Sequence, residues 1–242
     1  MKKGLLSLLL LCISLPFFFS SCGPIVGKGK ILTDNRTVSS FNAIDIDAPV
    51  KSNITVTPGA QPSVVLNGYE NIIKIIKVRV EGNTLHIYTD NFLNLSSDKD
   101  VSAEITVPSL ASLSISGASD ANINGNISGS DFSLHISGVG KVNIANVNVS
   151  SLSAHISGAG DVTINSGSVN TALYQLSGTG SVSAFNLQTQ QSSATVSGAG
   201  DIELNVQKQL DAHISGAGSI RYKGHPVISS GVSGIGKLTD AN

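Results

Sequence analysis

The four-residue string Ser-Gly-x-Gly constrains this chain more than any other feature. It begins at Ser137, Ser157, Ser177, Ser197, Ser215 and Ser233, and a degenerate copy, Ser-Gly-Ala-Ser, begins at Ser116. The successive steps are 21, 20, 20, 20, 18 and 18 residues. A fixed period of this size marks an architecture made by stacking one supersecondary unit on the next. Twenty residues are too few for a strand–helix–strand crossover, so the unit is read as strands alone.

Period-2 alternation assigns the faces. In the unit from Leu152, residues Leu152, Ala154 and Ile156 share one face, Val162 and Ile164 continue it after the turn, and Val169 opens a third short segment. Three short strands per unit describe one coil of a parallel β-helix. Alignment on the tetrad gives one inward column of Ile115, Ile136, Ile156, Leu176, Val196, Ile214 and Val232. A second holds Ala121, Val142, Val162, Val182, Ile202, Ile220 and Leu238. The expectation is an all-β solenoid of about seven short coils over residues 111–242, with coils ~4.8 Å apart. The repeated glycines predict turns that use the positive φ values glycine adopts freely.

Residues 31–110 lack the tetrad but are β-rich. Ala43 to Ala48, Asn53 to Thr57, Ser63 to Leu66, Lys77 to Val80 and Leu85 to Thr89 are strand candidates. Gly82-Asn83 is a hairpin turn, and Tyr69 to Ile73 is one helical turn. This portion is expected to be irregular β-structure, continuous with the solenoid and capping its open apolar end.

Residues 1–21 read as a secretory signal peptide. Lys2 and Lys3 precede an apolar run from Leu5 to Phe19, then Ser20 and Ser21 lead into Cys22. A cysteine after small residues at the end of such a run predicts cleavage before Cys22 and lipidation of its thiol, with two or more acyl chains holding the protein on a membrane. Residues 22–30, with three glycines and two lysines, are expected to be the lipidated tether. Cys12 leaves with the signal. No free thiol then remains for catalysis or metal binding.

Removing residues 1–21 moves the formal charge from −1 to −3. A nearly neutral body is not a nucleic-acid footprint. The residues after the tetrads, Asp120, Lys141, Asp161, Ser181, Asp201, Ser219 and Lys237, form an outward column without adjacent like charges, which reads as a register device. Asp161 and Asp201 fall two coils apart with Ser181 between them, so they make a ridge and not a catalytic cleft. His135 and His155 would neighbour each other on an outward column, but zinc needs further ligands. The Gly-x-Gly strings lead into strands, whereas a dinucleotide fingerprint needs a following helix. The reading is therefore a non-enzyme with no catalytic residues, no cofactor and no metal site.

Two functions fit an exported, polar, weakly charged rod. The first is a binding or adhesion-type module whose Asn/Ser/Gln-rich face engages a protein or glycan. The second is an envelope assembly protein, a homo-oligomer joined through its solenoid ends. Tyr174 falls inward and Tyr222 is the only other repeat-region tyrosine, which leaves little aromatic surface for stacking sugars.

The mature chain resembles the head GIN domain family of auto-transporter adhesins, found mainly in Bacteroidetes. The residues that carry the resemblance are the opening segment Arg36 to Ile44, the step Val107-Pro108-Ser109-Leu110, and the Ser-Gly-Ala-Gly-Asp repeats at Ser157 and Ser197. It covers residues 31–240. It implies a right-handed β-helix and an envelope lipoprotein, and brings no catalytic residues; the expected location is the outer membrane. Cys22 is followed by Gly23-Pro24-Ile25-Val26, without the acidic run of surface-exported Bacteroidetes lipoproteins. Both the periplasmic face and the cell surface stay open.

Overall fold

A computed structural model describes residues 25–90, 95–96 and 100–242. The signal peptide, the lipidation site Cys22, and Asp98 and Lys99 lie outside the described residues.

The tetrad levels stack as parallel coils of a β-solenoid of about six turns. The observed register reproduces both aliphatic columns. Ile115 pairs with Ile136, then Ile156, Leu176, Val196, Ile214 and Val232 follow level by level. Ala121 begins the second column, which runs through Val142, Val162, Val182, Ile202 and Ile220 to Leu238. All but the last residue of each column are buried. Each fully buried aliphatic side chain contributes about 1.5–3 kcal/mol, so the repeated columns are the main stabilising element. A third inward column, Leu134, Ala154, Tyr174, Ala194 and Ala212, fits its one aromatic ring between alanines.

The glycines serve a different purpose from the one expected. Within the tetrads Gly180 alone has a positive φ, +142°. The constraint is the close approach of coils. A Cβ on Gly158 would lie 1.9 Å from the carbonyl oxygen of Gly138, and one on Gly178 would lie 1.8 Å from that of Gly158. At the turns one backbone sits directly on the next, and any side chain would occupy that carbonyl's place.

The N-terminal portion is more regular than the sequence suggests. Ala43–Asp47 pairs in parallel with Ser112–Ile115 on one side and with Thr84–Tyr88 on the other. Lys51–Val56 likewise lies between Ala121–Ile136 and Ser102–Val107. Two further levels therefore extend the solenoid, and their order is interleaved: the level at 43–56 is inserted between those at 84–107 and 112–136. Beyond them the pairing turns antiparallel. Lys77–Glu81 joins Thr84–Tyr88 through a hairpin in which Gly82 has φ +57°. Ser63–Tyr69 pairs with both Ser102–Val107 and Ile31–Arg36. The helical turn Glu70–Ile73 buries Ile72 and Ile73, and this antiparallel layer closes one end of the core.

From Ile25 the segment expected as a tether lies against the body. Ile25–Val26 pairs with Leu95–Ser96. The Asn71 side chain accepts from the Lys28 amide at 2.8 Å and donates to the Val26 carbonyl at 2.9 Å.

Candidate functional site

A parallel coil sends alternate side chains outward, so every outward position becomes a column running along the rod. On the face preceding the tetrads three columns lie side by side. One is Asp131, Ser151, Thr171, Gln191 and Gln209. The next is Ser133, Ser153, Leu173, Ser193 and Asp211. The third is His135, His155, Gln175, Thr195 and His213. None of the three contains Lys or Arg. The first two line a shallow depression of about 560 Å³. The third lines another of about 340 Å³ beside Ser157, Ser177 and Ser197. The sequence reading placed the histidine column outward but missed these depressions, which form between side chains of several successive coils.

The histidine column extends into the N-terminal levels, where Ser114, Asp45 and His86 continue it. The His86 Nδ1 lies 3.0 Å from the Asp45 carboxylate. The rings of His135 and His155 are 6.3 Å apart between centroids. The His155 Nε2 is 2.9 Å from the Ser153 hydroxyl. Among the described residues, no group of three or more His, Cys, Asp or Glu is placed to hold a metal ion.

The face after the tetrads carries the acidic column. Asp120 accepts from the Lys141 amide at 2.8 Å, Asp161 from the Ser181 hydroxyl at 2.8 Å, and Asp201 from the Ser219 amide at 2.9 Å. Each of these carboxylates is hydrogen-bonded to the next coil, and Ser181 separates Asp161 from Asp201 in register. Beside them runs an amide ladder. Asn143 donates to Asn122 at 3.1 Å, Asn122 to Asn53 at 3.2 Å, and Asn53 to the Glu104 carboxylate at 2.7 Å. The amides point the same way along the rod and end on a charge, an arrangement in which each bond polarises the next. Lys51 and Asp100 form an ion pair at 2.6 Å at the edge of this face, and the Asp100 hydrogen bond raises the lysine's pKa.

A family model described as "Putative auto-transporter adhesin, head GIN domain" matches residues 40–226. The chain belongs to this family. One solved structure supports that membership, and others share the fold. A "putative adhesin" from Bacteroides fragilis is 30% identical with a TM-score of 0.85, covering 90% of this chain and 100% of its own. A "putative adhesin" from Parabacteroides distasonis, 20% identical with a TM-score of 0.73, shares the fold over 90% of this chain and 100% of its own. So does a "putative lipid binding protein" from the same organism, 23% identical with a TM-score of 0.69, over 91% of this chain and 100% of its own. No curated protein matches the chain. The family and these relatives are described as adhesins or binding proteins, and none as an enzyme.

Proposed function

We propose that this head GIN domain is a non-catalytic binding module of the cell envelope, held at the outer membrane through an acylated Cys22. Its ligand site is the three-column face before the tetrads. One observation carries the reading: hydroxyl and amide side chains stand in register over successive coils, around a 560 Å³ depression lined by Ser151, Ser153, Thr171, Gln191, Ser193 and Gln209. Such a surface offers regularly spaced donors and acceptors beside Leu173, with Asp211 the charged group among its lining residues, on a scaffold whose backbone is fixed by coil-to-coil hydrogen bonds. A preorganised polar face loses little entropy on binding. It suits an extended polar ligand, a glycan or a protein segment, that spans several coils.

The test is a glycan array and an envelope-extract capture with the purified body, each repeated with Thr171→Arg. An enriched ligand that the variant loses supports the proposal. No enrichment, or capture that the variant leaves unchanged, sinks it. Protease shaving of intact cells then distinguishes a surface ligand from a periplasmic one.

A further inference from the structure

The two faces that flank the tetrads use their polar side chains differently. On the face after the tetrads these groups bond to one another from coil to coil. Asn143, Asn122, Asn53 and Glu104 form the amide ladder, Ser181 donates to Asp161, and Arg221 donates to Glu203 at 2.6 Å. On the face before the tetrads, Ser151, Gln191, Ser193 and Gln209 make no side-chain hydrogen bond to any of the described residues. Thr171 makes a long one, 3.4 Å to the Ser150 carbonyl. These five residues line the 560 Å³ depression, to which four successive coils contribute. Their donors and acceptors are left for water or a ligand.

We propose that this depression takes a neutral glycan, a chain of equatorially linked pyranose rings that runs along the rod with one ring on each coil. The inference rests on the binding reading above and narrows it to one ligand class. The first argument is pitch. Successive coils lie ~4.8 Å apart, close to the ~5 Å that such a chain advances per ring, whereas an extended peptide repeats its side-chain direction every ~6.6 Å. A peptide laid along the rod falls out of step by ~2 Å per coil, while the glycan stays in step over all four. The two columns lie two residues apart on each strand, ~6.6 Å. A ring between them meets one residue of each, as with Thr171 and Leu173.

The second argument is charge. Asp211 is the charged group in the lining, and the three columns of this face contain neither Lys nor Arg. A uronate or sulfated chain would meet that carboxylate with no counter-charge. A neutral sugar donates its hydroxyls to it, and the serine, threonine and glutamine groups both donate and accept, as sugar hydroxyls do. The third argument is Leu173. It is half-buried and stands in register between Ser153 and Ser193. One apolar side chain among hydroxyls fits the C–H face of a pyranose ring, in place of an aromatic platform.

Isothermal titration calorimetry of the purified protein tests this, with β-1,4-linked oligosaccharides of glucose and of N-acetylglucosamine, two to six rings long. In at least one series the dissociation constant is expected to fall at least tenfold from two rings to four, and less than twofold from four to six, because four coils line the depression. Maltohexaose, whose axial linkages curl the chain, and a six-ring β-1,4-glucuronan bind at least tenfold more weakly than the six-ring neutral ligand. Thr171→Arg weakens four-ring binding at least fivefold. So does Leu173→Ser, which installs the residue of the neighbouring coils and so preserves the fold. Asp161→Ala, on the other face, leaves binding unchanged. Four results overturn the inference: affinity that is flat in ring number, equal binding of maltohexaose or the glucuronan, four-ring binding that Thr171→Arg and Leu173→Ser both leave intact, or no binding of either series. In the last case, envelope-extract capture that Thr171→Arg abolishes keeps the binding reading standing with a different ligand class. Loss of capture as well sinks both.

Discussion

At the residue scale, the glycines of the tetrad and the buried Tyr174 make the sharpest predictions. The carbonyl of Gly158 lies where a Cβ on Gly178 would go. Gly178→Ala is therefore expected to destabilise the body by about 3 kcal/mol in urea unfolding, the upper range of overpacking costs. Gly178→Asn should be no better. Asparagine tolerates positive φ, so rescue by asparagine would show that backbone conformation, and not contact, requires glycine there. Tyr174 is buried, and its hydroxyl hydrogen-bonds to buried Thr189. Tyr174→Phe orphans that threonine at about 1–2 kcal/mol, and Tyr174→Ala opens a cavity at about 3–5 kcal/mol. Burial also pushes the Tyr174 pKa above the ordinary value of 10.0. The unfolded chain then loses this proton first as pH rises. Stability is full below about pH 10 and falls above it by about 1.4 kcal/mol per pH unit. Tyr174→Phe should flatten that slope, and unchanged alkaline unfolding in the variant would contradict the assignment.

At the element scale, the inserted level at 43–56 matters most. Ala43–Asp47 is hydrogen-bonded on both edges, to strands that lie later in sequence, so it is an interior member of the sheet. Ile46 is fully buried. Ile46→Ala should cost about 2–5 kcal/mol, as much as Ile156→Ala among the tetrad coils. Native-state hydrogen exchange should give the amides of Ile44 to Ile46 the same opening free energy as those of Leu134 to Ile136, because one cooperative unit contains both. Earlier exchange at 44–46 would mean that the N-terminal levels open independently of the solenoid. The amide ladder from Asn143 to Glu104 joins these same levels from outside.

At the scale of the whole molecule, the rod is asymmetric. One end is closed by charged antiparallel strands, and the tetrad coils run away from it. Membrane attachment, if it runs through Cys22, starts from the closed end, because the segment from Ile25 docks beside Asn71 in the capping layer. The polar face would then project away from the bilayer. Cys22→Ser is expected to leave the signal uncleaved by lipoprotein signal peptidase and to abolish metabolic labelling of the protein with fatty acid. Labelling of the variant equal to that of the parent would rule out this anchor.

The sequence by itself determined the solenoid. A recurring tetrad, two aliphatic columns and alternating phase admit one register of coils, and a one-residue slip would turn Ile156 and its column mates to solvent. It also separated Asp161 from Asp201 and turned Tyr174 inward, since both follow from phase alone. It placed the hairpin at Gly82-Asn83 and the helical turn beside Tyr69 through local turn chemistry. Tertiary structure decided what depends on neighbours distant in the chain. The strand at Ala43 carries the same alternation as the tetrad coils but no tetrad, so its insertion between later levels is fixed by which edges remain to be paired. The purpose of the glycines became visible only once coil was placed on coil, because a clash with the carbonyl of the preceding level is not a property of the turn itself. The depressions on the polar face likewise form between side chains of several coils, which no single coil encodes.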